Sequence, residues 1–356
     1  MDTPAKDAHK GISPHASLLP TKRGVIVYLT CWFALSMLFF AAVMLVDRKV
    51  TLRNEALFNE QQARQTLLIC RTIQDHINLL MSECTILSRY TLREYLAGKR
   101  DIGQIADIFQ AELMAYPDAF CYTLVDGTGE LLYARGVETP EGEYAVNLSL
   151  MWAKRFLPRF ARVQEGPLVP LFSLTSAYPV LGMLFPLWIG EELSGVLIVV
   201  MNLKSIAART IVPLCSGQTG KGFLLDGHGV VLYDRRQGDR FGKDIFEAGA
   251  AANKDLKSVH KRMLAASSGK DTYKDPARGK GISRFKDMLA AGRVPRELIA
   301  WHSMLLGEQK LIVVLSAPSS EANRSLDAMR LSYALLGMVL VLVLVGMSAY
   351  HFHSRN

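Results

Sequence analysis

The chain has 356 residues, half of them apolar and 21% charged, with 27 Gly and 14 Pro. These proportions exclude a disordered tail protein and a collagen-like fibre. The formal charge of +8, from 41 basic and 33 acidic residues, leaves nucleic acid and anionic surfaces open as partners until the apolar residues are placed.

Those residues are concentrated at the two ends. After a short tail (residues 1–23), residues 24–46 read GVIVYLTCWFALSMLFFAAVMLV without a charge. At helical rise this run is about 34 Å long, enough to cross the hydrocarbon core of a bilayer. A cleaved signal peptide would have a shorter apolar core ending in small residues, whereas Ala41 and Ala42 are followed by Val43, Met44 and Leu45. A second uncharged run, residues 331–350, reads LSYALLGMVLVLVLVGMSAY. The sequence therefore predicts two transmembrane helices, with residues 47–330 on one side and both tails, 1–23 and 351–356, on the other. Lys22 and Arg23 before the first span nearly balance Arg48 and Lys49 after it, so charge does not choose the side. Long loops translocate largely regardless of charge, which places residues 47–330 outside the cytoplasm, as in a two-pass protein of a bacterial cytoplasmic membrane. An outside location argues against nucleic acid. The tails carry +2 and +1, which leaves +5 and a mildly basic surface for the region between the spans. The tail after residue 350 is too short for a kinase or a cyclase, so signal output is expected from a separate protein, unless the chain is a truncated receptor.

Residues 47–106 open the central region. From 50 to 96 they are rich in Leu, Glu, Gln, Arg and Ile and contain no Gly or Pro, which predicts a stalk helix of about 70 Å continuing from the first span. Leu67, Ile73, Ile77, Leu80, Met81 and Leu87 give it an apolar face to pack on the rest of the central region or on a second subunit. Cys70 and Cys84 share one face two heptads apart, so each meets its own twin in a parallel homodimer or stays a buried thiol. None of the five cysteines has metal-site spacing, and no metal is expected.

An internal repeat organises the rest. Residues 122–135 (YTLVDGTGELLYAR) and 222–235 (GFLLDGHGVVLYDR) share Asp-Gly-x-Gly-x-x-Leu-Tyr-x-Arg at an offset of 100. Each reads as a β-hairpin, an apolar strand and a turn whose Asp-Gly pair tolerates positive φ, then a second strand. A looser match pairs residues 186–201 (PLWIGEELSGVLIVVM) with 303–315 (SMLLGEQKLIVVL), and the shared LIVV runs are buried strands. The prediction is an α+β fold with two tandem modules, residues 107–203 and 217–318, joined by a connector, 204–216, with a short helix through NLKSIAARTI. Residues 319–330 form a juxtamembrane helix, with Ser319 or Ser320 before Glu321 as its capping signature.

This layout resembles the double Cache family of extracytoplasmic sensor domains, on the two Asp-Gly-x-Gly hairpins, the 186–203 and 222–246 segments and the closing LIVVLSAPSSEA. The resemblance covers about residues 50–326. It implies a long N-terminal helix, two PAS-like modules with antiparallel sheets, and a small ligand in the membrane-distal module. Members that recognise amino acids carry an aromatic, Arg and Trp cluster followed by Tyr and Asp. Here only Trp152 and Arg155 answer to that pattern, and LFSLTSAYPVLG has no Asp.

Candidate ligand-binding residues in the first module are Tyr122, Tyr133, Arg135, Trp152, Arg155 and Tyr178. A guanidinium walled by aromatics suits a carboxylate, so the expected ligand is a small organic anion. Tyr133 and Arg135 recur as Tyr233 and Arg235, which also fits a structural role in the hairpins. SGQTGKG lacks the phosphate-loop pattern and leads into a strand. No catalytic grouping stands out, no cofactor is expected, and His351 and His353 read as incidental. Residues 254–262 (KDLKSVHKR) read as the solvated face of a helix. The expected function is a small-molecule sensor without enzymatic activity. An adaptor or assembly protein whose modules bind another protein is the alternative.

Overall fold

A computed structural model describes residues 22–162, 167–168, 179–214, 219–234, 254–274, 296–307 and 309–353. It divides into two units, residues 1–53 and 54–356. The first unit carries the start of helix α1 (Lys22–Leu87). There the apolar side chains point outward, with Phe33, Leu38 and Met44 all more than three-fifths exposed. At the other end of the chain, helix α8 (Arg324–His353) exposes Leu331, Leu342 and Val345 in the same way. Both helices are long and apolar enough to cross a membrane.

The second unit holds two antiparallel sheets laid along the remainder of α1. After α1 come one π-helical turn (Ser88–Leu92), α2 (Arg93–Leu96) and α3 (Ile102–Ala115), the last capped by Asp101, whose carboxylate accepts from the Gln104 amide at 2.9 Å. The first sheet has the order β2-β1-β4-β3, from β1 (Ala119–Asp126), β2 (Leu131–Gly136), β3 (Val180–Ile189) and β4 (Glu192–Asn202). Helix α4 (Pro140–Phe160) covers one side of it. Helix α5 (Leu203–Ile211), capped by Asn202, leads to the second sheet, of order β6-β5-β9-β8-β7. Its strands are β5 (Lys221–Asp226), β6 (Val231–Asp234), β7 (Ser268–Lys274), β8 (Arg296–Leu306) and β9 (Gln309–Pro318), with α6 (Lys254–Ala265) on one side. The first four strand positions repeat between the sheets. At the fifth, where β7 edges the second sheet, Leu168 bridges Leu184 of β3 in the first.

Strand alternation assigns each sheet two apolar faces. Leu197 and Val199, like Leu311 and Val313, join the core built on α1, whereas Ile198 and Val200 face α4, and Ile312 and Val314 face α6. The repeated LIVV runs thus keep the same sidedness. Their registers differ by two residues, since Asp126 sits opposite Gly195 and Asp226 opposite Leu311. A shift of two preserves which side chains point inward, whereas a shift of one would reverse them.

The repeated turns are built alike. In the first, the Asp126 carboxylate accepts from the amides of Thr128 and Glu130 at 2.8 and 2.9 Å; in the second, Asp226 accepts from His228 and Val230 at the same distances. Gly129 and Gly229 close the two turns at φ +90 and +92, a backbone conformation that disfavours any side chain.

The apolar face of the stalk is consumed by its own chain. Ile73, Ile77, Leu80 and Leu87 are buried among residues of both sheets, and Met81 packs at the edge. Cys70 and Cys84 lie in the same core as free thiols, and Cys70 Sγ donates to the His302 carbonyl at 3.3 Å. Burial pushes the Cys70 thiol up to about 12. Buried against this chain's own sheets, neither thiol faces a twin on a second stalk. The expected juxtamembrane helix is interrupted and capped differently. Helix α7 (Ser319–Ala322) begins after Pro318 without a side-chain cap and breaks at Asn323, and residues 324–330 are the start of α8, which runs on into the second apolar stretch. Glu321 instead accepts from the amide and hydroxyl of Thr219, both at 2.8 Å.

Candidate functional site

The period-two alternation of β1 and β2 separates the sequence-derived candidates. Tyr122 and Leu124 point to the α1 side of the first sheet, and their cross-strand partners Arg135 and Tyr133 follow them. Tyr122 is fully buried, with its ring 5.6 Å from that of Phe109 on α3. Its hydroxyl has no hydrogen-bond partner among the described residues, and burial pushes its pKa up. Tyr133 packs against the same Phe109 ring, tilted by 48° with the centroids 5.8 Å apart. Arg135 is tied at one edge, where its Nε donates to Gln110 at 2.9 Å and Nη2 lies 3.6 Å from Glu138. These three residues knit the hairpin to α3.

Trp152 lies on the opposite side, in the layer between the sheet and α4. Its indole covers Gly182 of β3, where a Cβ would fall 2.3 Å from Trp152 Cζ3. Beside it are Thr123 and Ser149, both fully buried and hydrogen-bonded through their hydroxyls at 2.8 Å. Arg155 is exposed one turn along α4, its guanidinium 5.7 Å from the Phe156 ring. Tyr178 lies outside the described residues, as does Arg235. The five described candidates therefore do not line one cavity. Trp152 and Arg155 share a helix, and the hairpin trio is across the sheet from them.

A polar junction that sequence reasoning missed lies where the stalk, the first sheet and the connector meet. Asp118, 2% exposed, precedes β1. Its Oδ1 accepts from Ser205 at 2.6 Å, and its Oδ2 accepts from Arg209, both of these donors being on α5. His76 Nε2 of α1 stands 3.3 Å from Oδ2 and 3.5 Å from Arg209 Nη2. The Asp118 carbonyl receives the Asn202 amide at 2.7 Å, so one residue pins the adjacent start of β1 and end of β4 to the helix that leads to the second sheet. A cavity of ≈ 430 Å³ opens beside it, lined by Thr72, His76, Arg209 and Thr210 among others. No local motif marks Asp118, because its partners are 42 residues upstream and 87 to 91 residues downstream.

Burial, with Arg209 nearby, lowers the His76 pKa, and burial with Arg71 nearby lowers that of His302. The unfolded chain therefore takes up these protons first as pH falls through the ordinary value of 6.5. Stability from both groups is present above that value and is lost below it. The melting temperature is expected to fall between pH 7.5 and 5.5, and to fall less steeply in His76→Gln. An equal slope in the variant would show that His76 contributes nothing to this dependence.

No protein-family model matches the chain, and no curated protein matches it. Solved structures do. The extracellular domain of vpHK1S-Z8, a protein named as a histidine kinase, is 12% identical and superposes with a TM-score of 0.53 over 77% of this chain and 95% of that one. The chain has the fold of that extracellular domain. A domain of a protein named as sensory box/GGDEF family, from Vibrio parahaemolyticus, is 12% identical over 76% of this chain and 99% of its own, with a TM-score of 0.49. An extracellular ligand binding receptor from Desulfohalobium retbaense is 15% identical with a TM-score of 0.45, and the match spans 71% of this chain and 40% of that receptor.

Proposed function

We infer that the protein is a membrane-anchored sensor that holds residues 47–330 outside a bacterial cytoplasmic membrane and binds a small molecule there. The observation that carries this is the architecture: two repeated antiparallel sheets on one long helix, a fold shared with the extracellular domain of vpHK1S-Z8, together with two helices apolar enough to cross a bilayer. A ligand that favours one arrangement of the first sheet and α4 would shift its population, and a small displacement of the helices would carry the change. Within this reading the ligand, a small organic anion, enters on the α4 side, with Trp152 and Arg155 as its residues. Tyr122, Tyr133 and Arg135 hold the hairpin. No enzymatic step is assigned.

Two partners complete the reading. Leu57, Leu68 and Leu79 recur every eleven residues, three helical turns, and with Ile86 all stand more than half exposed on the stalk. This face, and not that of Cys70 and Cys84, pairs with a second copy. A signalling protein receives the output, by analogy with the kinase named for the vpHK1S-Z8 domain. The adaptor reading retains one observation in its favour: Thr123, Ser149 and Trp152 fill the layer under α4 with side chains.

Sidedness is tested with Lys154→Cys on the exposed side of α4, in a Cys215→Ser background. The buried Cys70, Cys84 and Cys121 stay silent, and Cys31 lies in the apolar part of α1. A membrane-impermeant maleimide is expected to label the introduced thiol in intact bacterial spheroplasts. Labelling only after permeabilisation would overturn the topology.

A further inference from the structure

We propose that the cavity under the π-helical turn at the end of the stalk binds a flat organic carboxylate through Arg89 and Arg93. This site is across the first sheet from α4 and does not rest on the sensor reading. The cavity is ≈ 490 Å³, floored by Phe185 and Leu187 of β3 and walled by Tyr90 and Trp188.

The π turn creates it. Buried stalk positions follow an α-helical rhythm through Ile73, Ile77, Leu80, Cys84 and Leu87, after which Ser88 and Leu92 are both buried. One extra residue in the turn re-phases the helix, and such insertions recur at functional sites. Arg89 and Arg93, four residues apart on this stretch, both line the cavity.

Two guanidinium groups four residues apart repel each other in an isolated helix. Among the described residues neither Arg89 nor Arg93 makes a side-chain hydrogen bond or an ion pair. The adjacent acid, Glu94, is turned to Arg100, whose Nε donates to it at 2.7 Å. The Thr85 and Ser88 hydroxyls in the lining donate to the Met81 and Thr85 carbonyls of their own helix. The cavity thus offers an anion two unengaged cations, and offers its body aromatic and aliphatic walls. Planar forks match a carboxylate, and the indole and phenol rings suit a flat apolar body.

The test is calorimetric titration of the full chain in detergent micelles, at low chloride, with benzoate, its neutral isostere benzamide, and inorganic phosphate. Benzoate is expected to bind at one site per chain, tighter than phosphate, and benzamide not to bind. Arg89→Gln and Arg93→Gln, both at exposed positions, are each expected to weaken benzoate about tenfold or more, and Trp188→Ala to weaken it as well. The proposal is overturned by equal binding of benzoate and benzamide, by phosphate binding as tightly as benzoate, or by an Arg89→Gln/Arg93→Gln double variant that binds benzoate like the wild type. Absence of saturable benzoate binding up to about 10 mM would also overturn it.

Discussion

Replacing Arg209 with alanine is expected to cost about 3–5 kcal/mol of stability, more than replacing its partner Asp118, which should cost about 2–3 kcal/mol. The asymmetry follows from burial. The Asp118 side chain is 2% exposed and that of Arg209 51%. Removing the guanidinium strands a carboxylate away from water with, among the described residues, Ser205 and His76 as its remaining side-chain partners, whereas removing the carboxylate leaves a cation that water reaches. The junction also ties α1, the start of β1 and α5 together, so its loss loosens the connection between the two sheets. Unfolding curves of the full chain in micelles measure both changes. Equal costs, or a larger cost for Asp118→Ala, would contradict this account of the junction.

The second large effect is steric. Gly182 and Gly269 are bare strand positions beneath an indole, and a Cβ would fall 2.3 Å from Trp152 in the first case and 2.2 Å from Trp301 in the second. Each tryptophan is nearly buried, on the side of its sheet that faces α4 or α6. Gly182→Ala and Gly269→Ala are each expected to destabilise by about 1–3 kcal/mol, and the valine variants by more, because a packed core yields little. The clash makes its own control. Trp152→Leu should cost stability alone, yet the Gly182→Ala/Trp152→Leu pair should cost less than the sum of its parts, since the added methyl then occupies vacated space. Strict additivity would mean that the ring moves aside freely and that the close approach is not what keeps Gly182.

Much of this architecture was legible in the residues. The Asp-Gly-x-Gly repeat announced two hairpins because the turn chemistry is local: one carboxylate capping two amides, and one glycine at positive φ. The stalk was legible through its composition and its apolar spacing, although neither distinguishes packing on the same chain from packing on a second one. Cys70 and Cys84 turned out to face the sheets. The π turn was invisible, since nothing in SRYTL departs from helical composition. The candidate site suffered from a two-sided sheet. Tyr122, Tyr133 and Arg135 share a motif with one another but share a face with α3, while Trp152 comes from α4 on the other side. Asp118, His76 and Arg209 carry no shared motif, because three elements far apart in the chain bring them together.

The central claim, that the domain recognises a small molecule, is tested most directly by thermal unfolding of the full chain in micelles against organic acids, amino acids, amines and sugars. A native-state binder raises the melting temperature by mass action. At least one organic acid is expected to raise it, and Trp152→Ala or Arg155→Ala to abolish that rise while the Arg89→Gln/Arg93→Gln variant retains it. No rise with any compound, from a chain that unfolds cooperatively, would contradict the sensor and favour a protein-binding adaptor.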